Sequence, residues 1–187
     1  MKGACDMHFK FNVNVSEQDY LDYNIFWMIK SPYGKKQIIQ FRVILLVLFG
    51  IASLYSLWQG GFSNDSLITV TSYLILLAIV QFALNPFFVW VTKAHIKSLR
   101  KNGKMGYSPI SEIEFHESSF IETTPTNKTE QSYVAVERIS IVSDKMIYIH
   151  VNNIMAYIIP FASFDSQEQF DDFLTFIRTK CSNIDIY

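Results

Sequence analysis

Residues able to do chemistry are few in this chain, and they are scattered. Four histidines stand at positions 8, 95, 116 and 150. No two of them share the spacing of metal ligands. His116-Glu117 is a single His-Glu pair without a second histidine, so the two-imidazole face of a zinc protease is missing. A surface or structural role is expected for each histidine. Serines are plentiful, yet none sits in a Gly-x-Ser-x-Gly elbow, the sharp turn that presents a nucleophile. Neither Gly60-Gly61 nor the Lys101–Lys104 segment has the glycine pattern that cradles phosphate. Cys5 and Cys181 make no disulfide framework and no zinc pattern, and are read as reduced thiols in a cytosolic setting. No catalytic, cofactor-binding or metal-binding set emerges, so the chain reads as non-enzymatic.

What remains are polar residues in apolar surroundings and a run of positive charge. Gln81 and Asn85 interrupt a long apolar stretch. They lie four apart, hence on one face of a helix. Hydrogen bonding to a neighbouring helix is their expected use, with Ser53, Ser56 and the small-residue spacing Ala52-x-x-x-Ser56 as candidate partners. A polar lining for a permeation path is the sharper alternative, and two helices would need to oligomerise to enclose one. The basic residues Lys35, Lys36, Lys93, Lys97, Arg100, Lys101 and Lys104 are candidate contacts for lipid headgroups.

These residues are positioned by two apolar runs. Half of the 187 residues are hydrophobic and 18% are charged, against about 25% in an average soluble domain. The deficit is local, because the segment Ile44–Ala83 holds one formal charge, Asp65. The 38–58 run would rise roughly 31 Å as a helix, close to the thickness of a bilayer's hydrocarbon core. Arg42, near its start, is expected to snorkel toward headgroups. Trp58 suits the far interface, and an eight-residue turn, Gln59–Ser66, follows. The second run, 67–91, contains Pro86, a cause for a kink. It continues as a basic helix that Asn102-Gly103 ends. Lysines and arginines flank both outer ends of this hairpin and avoid its loop, which places both termini in the cytoplasm. The N-terminus carries early charges and no early apolar run, so it is not read as a secretory signal.

On either side lie soluble elements. Phe9–Val15 alternates apolar and polar residues, the mark of a half-buried strand. Ser16 then caps an aromatic-rich amphipathic helix that Ser31-Pro32 should end. Strands are expected over 110–116, 119–124, 132–136, 139–143, 146–151 and 154–160. A last helix opens at Asp165-Ser166, and Phe170, Phe173, Leu174, Ile177 and Cys181 form its apolar face. The segment 108–187 carries five basic and twelve acidic residues. That balance argues against a nucleic-acid partner.

The order of strand, aromatic helix, two-helix hairpin and β-rich segment, with Tyr157-Ile-Ile-Pro-Phe-Ala-Ser-Phe-Asp-Ser-Gln-Glu-Gln-Phe170 near the end, resembles the YcxB-like membrane proteins of bacteria. The resemblance covers most of the chain and is most specific from Ile158-Ile159-Pro160 to Phe164. It implies a membrane protein of uncharacterised biochemical role, with a C-terminal domain similar to bacterial pleckstrin-homology-like (PH-like) domains. Those are seven-stranded sandwiches closed by one helix. Six expected strands in 108–187 plus Phe9–Val15 would make seven, with the hairpin inserted between.

The expected fold class is therefore an α+β membrane protein. It has an N-terminal strand and amphipathic helix (1–37), a transmembrane hairpin with basic extension (38–107), and a cytosolic PH-like β-sandwich or roll closed by a C-terminal helix (108–187). The expected function is a membrane-anchored interaction or regulatory module. Its partners would be membrane lipids and a protein or peptide at the cytosolic domain, with no nucleic acid and with an oligomer allowed. Two alternatives stand beside it. One is a bacteriocin-immunity or membrane-stress protection protein, and the other an enzyme acting at the membrane surface.

Overall fold

A computed structural model describes residues 7–103, 105–142, 145–152 and 155–187. The described chain is α+β and forms two compact units. The first comprises residues up to Tyr23 together with 105–187, and the second is Asn24–Gly103.

The second unit is built on two long helices. Helix α1, Glu17–Ile29, leads into it from the first unit. Ser16 and Asp19 cap α1 reciprocally: the Asp19 N–H donates to Ser16 Oγ at 3.1 Å, and the Ser16 N–H donates to Asp19 Oδ2 at 2.9 Å. Each satisfies a backbone donor that a helix start leaves orphaned. Helix α2 covers Pro32–Gly60, with Ser31 as its cap and Pro32 in its first turn. Proline suits that position because its missing N–H would have no helical partner there. Gly34 is required by a close approach, since a Cβ there would lie 2.2 Å from the Met28 carbonyl oxygen.

Helix α3 covers Asn64–Lys101 and runs unbroken through Pro86. The connecting turn is much shorter than the eight residues expected from the sequence. Gly61 adopts φ 59°, and Ser63 caps α3 by accepting the Ser66 N–H at 3.3 Å. A left-handed glycine and a serine cap reverse the chain in three residues. Aromatic pairs tie the helices together, Phe41 with Phe88 at 5.9 Å and Phe49 with Tyr73 at 6.3 Å. Both helices are long and apolar enough to cross a membrane, yet only 6% of the most apolar window of α2 and 11% of that of α3 is buried. Core helices of a soluble protein would bury that surface.

The described residues of the first unit form eight strands in two sheets. Strands β1 (Met7–Asn14), β2 (Ile110–His116), β3 (Ser119–Thr123) and β4 (Lys128–Ser132) form the first as an antiparallel meander. The strand before the helices thus pairs with the strand after them, Phe11 opposite Ile113. Strands β5 (Arg138–Val142), β6 (Met146–His150) and β7 (Ala156–Pro160) form the second meander. Helix α4 (Gln167–Lys180) follows, and β8 (Ile184–Ile186) then joins β5 in parallel.

Two strands differ from the sequence expectation. Residues 133–135 form a 3-10 turn instead of a strand, because Ser132 Oγ accepts the Val134 N–H, and the strand lies earlier, in polar Lys128–Ser132. An edge strand needs no apolar face, so the apolar signal misplaced it. Strand β8, only three residues long, was absent from the expectation.

Aromatic side chains fill the space between these elements. Phe173 of α4 is fully buried. Its ring lies 5.5 Å from Phe9, 5.1 Å from Phe11, 4.8 Å from Phe115 and 5.6 Å from Phe164. Phe164 and Phe161 both meet Phe170, at 5.2 and 4.9 Å, so the Pro160 loop packs against α4. Ile139, Ile147, Ile149 and Ile159 complete the core from the second sheet. Phe173→Ala is expected to destabilise the first unit by about 3–5 kcal/mol, and Phe173→Leu by clearly less. Thermal unfolding of the purified full chain checks the order.

Candidate functional site

The two faces of the second sheet differ in kind. Alternation along β5 sends Ile139 and Ile141 inward and Arg138 and Ser140 to the opposite face. Along β6 it sends Ile147 and Ile149 inward, and Tyr148 and His150 join the polar pair. Arg138 stands directly opposite His150, and Ser140 opposite both Tyr148 and Asp185. Such a face ordinarily meets water. Here Ser140, Tyr148 and His150 are 0%, 2% and 2% exposed. Tyr23 of α1 lies over them, its ring 5.1 Å from Tyr148 and 6.2 Å from His150.

This covered face is poorly satisfied. Among the described residues the Tyr23 hydroxyl, Arg138 Nε and His150 Nε2 are buried without a hydrogen-bond partner. Asp185 Oδ2 is 3.8 Å from Arg138 Nε, close enough for charge attraction and too far for a hydrogen bond. The Ser140 hydroxyl adjoins Tyr187. Burial, assisted by the Arg138 charge, pushes the His150 imidazole down to about 4. Burial also pushes the Tyr23 phenol up to about 12, and it raises Tyr148 as well. The histidine is therefore neutral at pH 7, and Arg138 supplies the face's positive charge. A donor-rich face of this kind suits an acceptor, and among its described residues no nucleophile and base are in hydrogen-bond contact.

In the helical unit, Gln81 and Asn85 both reach α2. The Gln81 side chain donates to the Arg42 carbonyl at 3.4 Å, and Arg42 Nη2 donates to Asn85 Oδ1 at 3.3 Å. Their partner is thus Arg42 and not Ser53 or Ser56. The hairpin's own geometry requires this, since Arg42 lies about as far behind the Gly61 turn as Gln81 lies beyond it, while Ser56 faces the Thr69 level. Arg42 stands near the start of the 38–58 apolar run. α2 begins at Pro32, so Arg42 lies well inside it and turns toward α3, with Nε buried and unpartnered.

The basic residues are exposed. Lys35 and Lys36 occupy the first turns of α2, and Lys93, Lys97, Arg100 and Lys101 the end of α3. Lys93, Lys97, Arg100 and Lys101 share one helix face by their spacing. Arg100 and Lys101 complement the negative end of the helix dipole, whereas Lys35 and Lys36 oppose the positive end of α2. Lys104 lies outside the described residues. No group of three or more metal-ligating side chains occurs among the described residues.

Comparison with protein families places part of this architecture. The family model described as YcxB-like protein matches residues 115–177. No curated protein and no solved structure matched the chain. The matched stretch begins with Phe115 in β2 and ends with Ile177 in α4. It includes Arg138, Ser140, Tyr148 and His150, while Tyr23, which covers them, lies outside it.

The sequence reading passed over this polar face. Its signal was present in Arg-Ile-Ser-Ile-Val and Met-Ile-Tyr-Ile-His, where polar and apolar residues alternate. Alternation by itself points to solvent, and only the cover supplied by α1 reverses that meaning.

The His150 environment carries a pH signature. An unfolded chain takes up the proton near the ordinary value of 6.5, whereas the folded chain resists it until about 4. Stability is then unaffected above 6.5 and falls as pH drops through that window, by on the order of 3 kcal/mol in total. Urea unfolding at pH 7 and pH 4.5 should show a smaller acid loss in His150→Gln than in the parent chain.

Proposed function

We propose that the protein is a membrane-anchored, non-enzymatic interaction or regulatory module. In this reading its helical hairpin lies in the bilayer, and its β unit is a cytosolic PH-like domain. The observation that carries the reading is the uncovered apolar surface of α2 and α3 beside a β unit with its own aromatic core. Leu54 and Phe82 are 69% and 86% exposed. In water, such a surface would drive association, and lipid is the medium that removes the cost.

Further features support each part. Trp58 and Phe62 at the turn, and Phe87 and Trp90 at the other end, have the character of interfacial belts. Gln81 and Asn85 each hydrogen-bond Arg42 across the helices, the kind of interhelical pairing that polar groups make in an apolar medium. Lys35 and Lys36 are unfavourable for the α2 dipole, and attraction to anionic cytoplasmic headgroups, about 1 kcal/mol per basic residue, offsets this. The order of a four-strand meander, a three-strand meander and a closing helix supports the PH-like reading. The added β8 and the long insertion between β1 and β2 are departures from that plan.

Two measurements test the proposal. In a Cys5→Ser, Cys181→Ala background, Phe62→Cys at the hairpin tip should react with a membrane-impermeant maleimide in intact cells. Glu130→Cys on β4 should react only after lysis. The opposite pattern, or recovery of the chain in the soluble fraction after an alkaline wash, would exclude the proposed topology. Photocrosslinkers placed on the β unit in cells should then capture a defined protein partner, as a regulatory module requires.

A further inference from the structure

We propose that the polar face formed by Arg138, Ser140, Tyr148 and His150 is a binding site for an oxyanion, a phosphate or carboxylate group, and that Tyr23 of α1 is its cover. This inference rests on the module reading above and gives it a ligand chemistry.

Several independent observations point to a missing partner. The Tyr23 hydroxyl, Arg138 Nε and His150 Nε2 are buried and unpaired among the described residues. Leaving a buried polar group unpaired costs about 1–3 kcal/mol. These atoms belong to three separate elements, α1, β5 and β6, so one local backbone feature does not account for them. Register places Arg138 and His150 directly opposite on the same face, and side chains in that relation lie about 5 Å apart.

The donor set favours an anion. Arg138 Nε can only donate and keeps its charge at all ordinary pH. The His150 imidazole can donate beside it. Asp185 stays beyond hydrogen-bond reach of Arg138 Nε and is itself part exposed. A cation would meet Arg138 with no compensating acid in contact, so the face rejects it.

The cover has the chemistry of an occlusion. Asp19 and Asp22 of α1 act on Tyr148, as does Tyr23, so the segment that blocks the face also brings negative charge to it. Tyr187, which follows β8, and Arg138 complete the titratable neighbourhood. Displacing Tyr23 removes the steric block, moves two carboxylates away and frees an unsatisfied phenol to meet water. The covered state is therefore held by aromatic contact, Tyr23 on Tyr148 and Tyr20 stacked on Tyr107 at 4.4 Å, against an electrostatic preference for an acceptor. A phosphate could come from solution or from a phospholipid headgroup, and the chemistry at the face is the same.

The test uses the full chain in nanodiscs of phosphatidylcholine, with ¹⁵N-labelled histidine. His150→Gln identifies the His150 ring signals. Inorganic phosphate, and separately acetate, is titrated at constant ionic strength against chloride. A saturable shift of the His150 signals is expected with at least one of the two oxyanions and not with chloride. Tyr23→Ala should tighten that response about tenfold, the effect of removing a cover that leaves roughly a tenth of the molecules open. Arg138→Met should abolish it, and Arg138→Lys should retain part of it.

A second set of nanodiscs containing phosphatidic acid separates the sources. A His150 signal already shifted before any addition assigns the headgroup, and an unshifted but phosphate-responsive signal assigns the free ion. No saturable response to either oxyanion in the parent or Tyr23→Ala chain in either nanodisc overturns the site, as does an equal response to chloride. A full response in folded Arg138→Met overturns it too. If Arg138→Met unfolds, the Tyr23→Ala comparison still decides. Loss of the site with the expected Phe62→Cys labelling intact rejects this inference alone. Oxyanion binding with the opposite labelling rejects the membrane topology alone.

Discussion

The pairing of β1 with β2 is the interaction on which the rest of the structure depends. It joins residues on either side of the whole helical segment, from Asn14 opposite Ile110 to Phe9 opposite Phe115. The Val15 N–H continues the ladder by donating to the Pro109 carbonyl at 2.8 Å. A chain that leaves this point must return to it, and two helices joined by a tight turn are a short way to do so. The entropy of closing so long a loop grows only slowly with its length. The pairing also delivers Phe9 and Phe11 to the core, where both rings meet Phe173. Without β1, the first sheet would lose its outer strand, and α4 would lose Phe9 and Phe11 and keep Phe115 among its phenylalanine neighbours in that sheet.

The same pairing sets where α1 begins. Ser16 follows the strand directly and caps the helix, so Tyr23 arrives two turns later at the second sheet's polar face. The contact has a physical tension built in. Aromatic burial favours it, and the unpaired nitrogens of Arg138 and His150 oppose it. Segments that open and close in proteins are drawn from such weakly held contacts. The stretch matched by the family model contains the sheet face but not the tyrosine that covers it, so the cover comes from outside the matched residues.

In the helical unit, apolar side chains outnumber what a single partner helix can bury, and Gln81 and Asn85 both reach Arg42. A groove near the turn is lined by Tyr55, Gln59, Asp65, Thr69 and Tyr73 among others.

Sequence alone determined the elements whose signal is local. The two apolar runs, the Phe9–Val15 alternation, the caps at Ser16 and Ser166, and the apolar face of α4 were all legible, because spacing and capping chemistry act over a few residues. The hairpin partner of Gln81 was legible in principle, since equal distances from a turn must face each other, but the turn's true length had to be known first. Tertiary structure alone decided the rest. Strand β4 has no apolar signature because it lies at an edge, and β8 is too short to nucleate a pattern. The polar face of β5 and β6 reads as solvent-facing from its alternation, and burial reverses that reading. Burial is imposed there by Tyr23, more than a hundred residues earlier in the chain, and no local rule carries information over that distance.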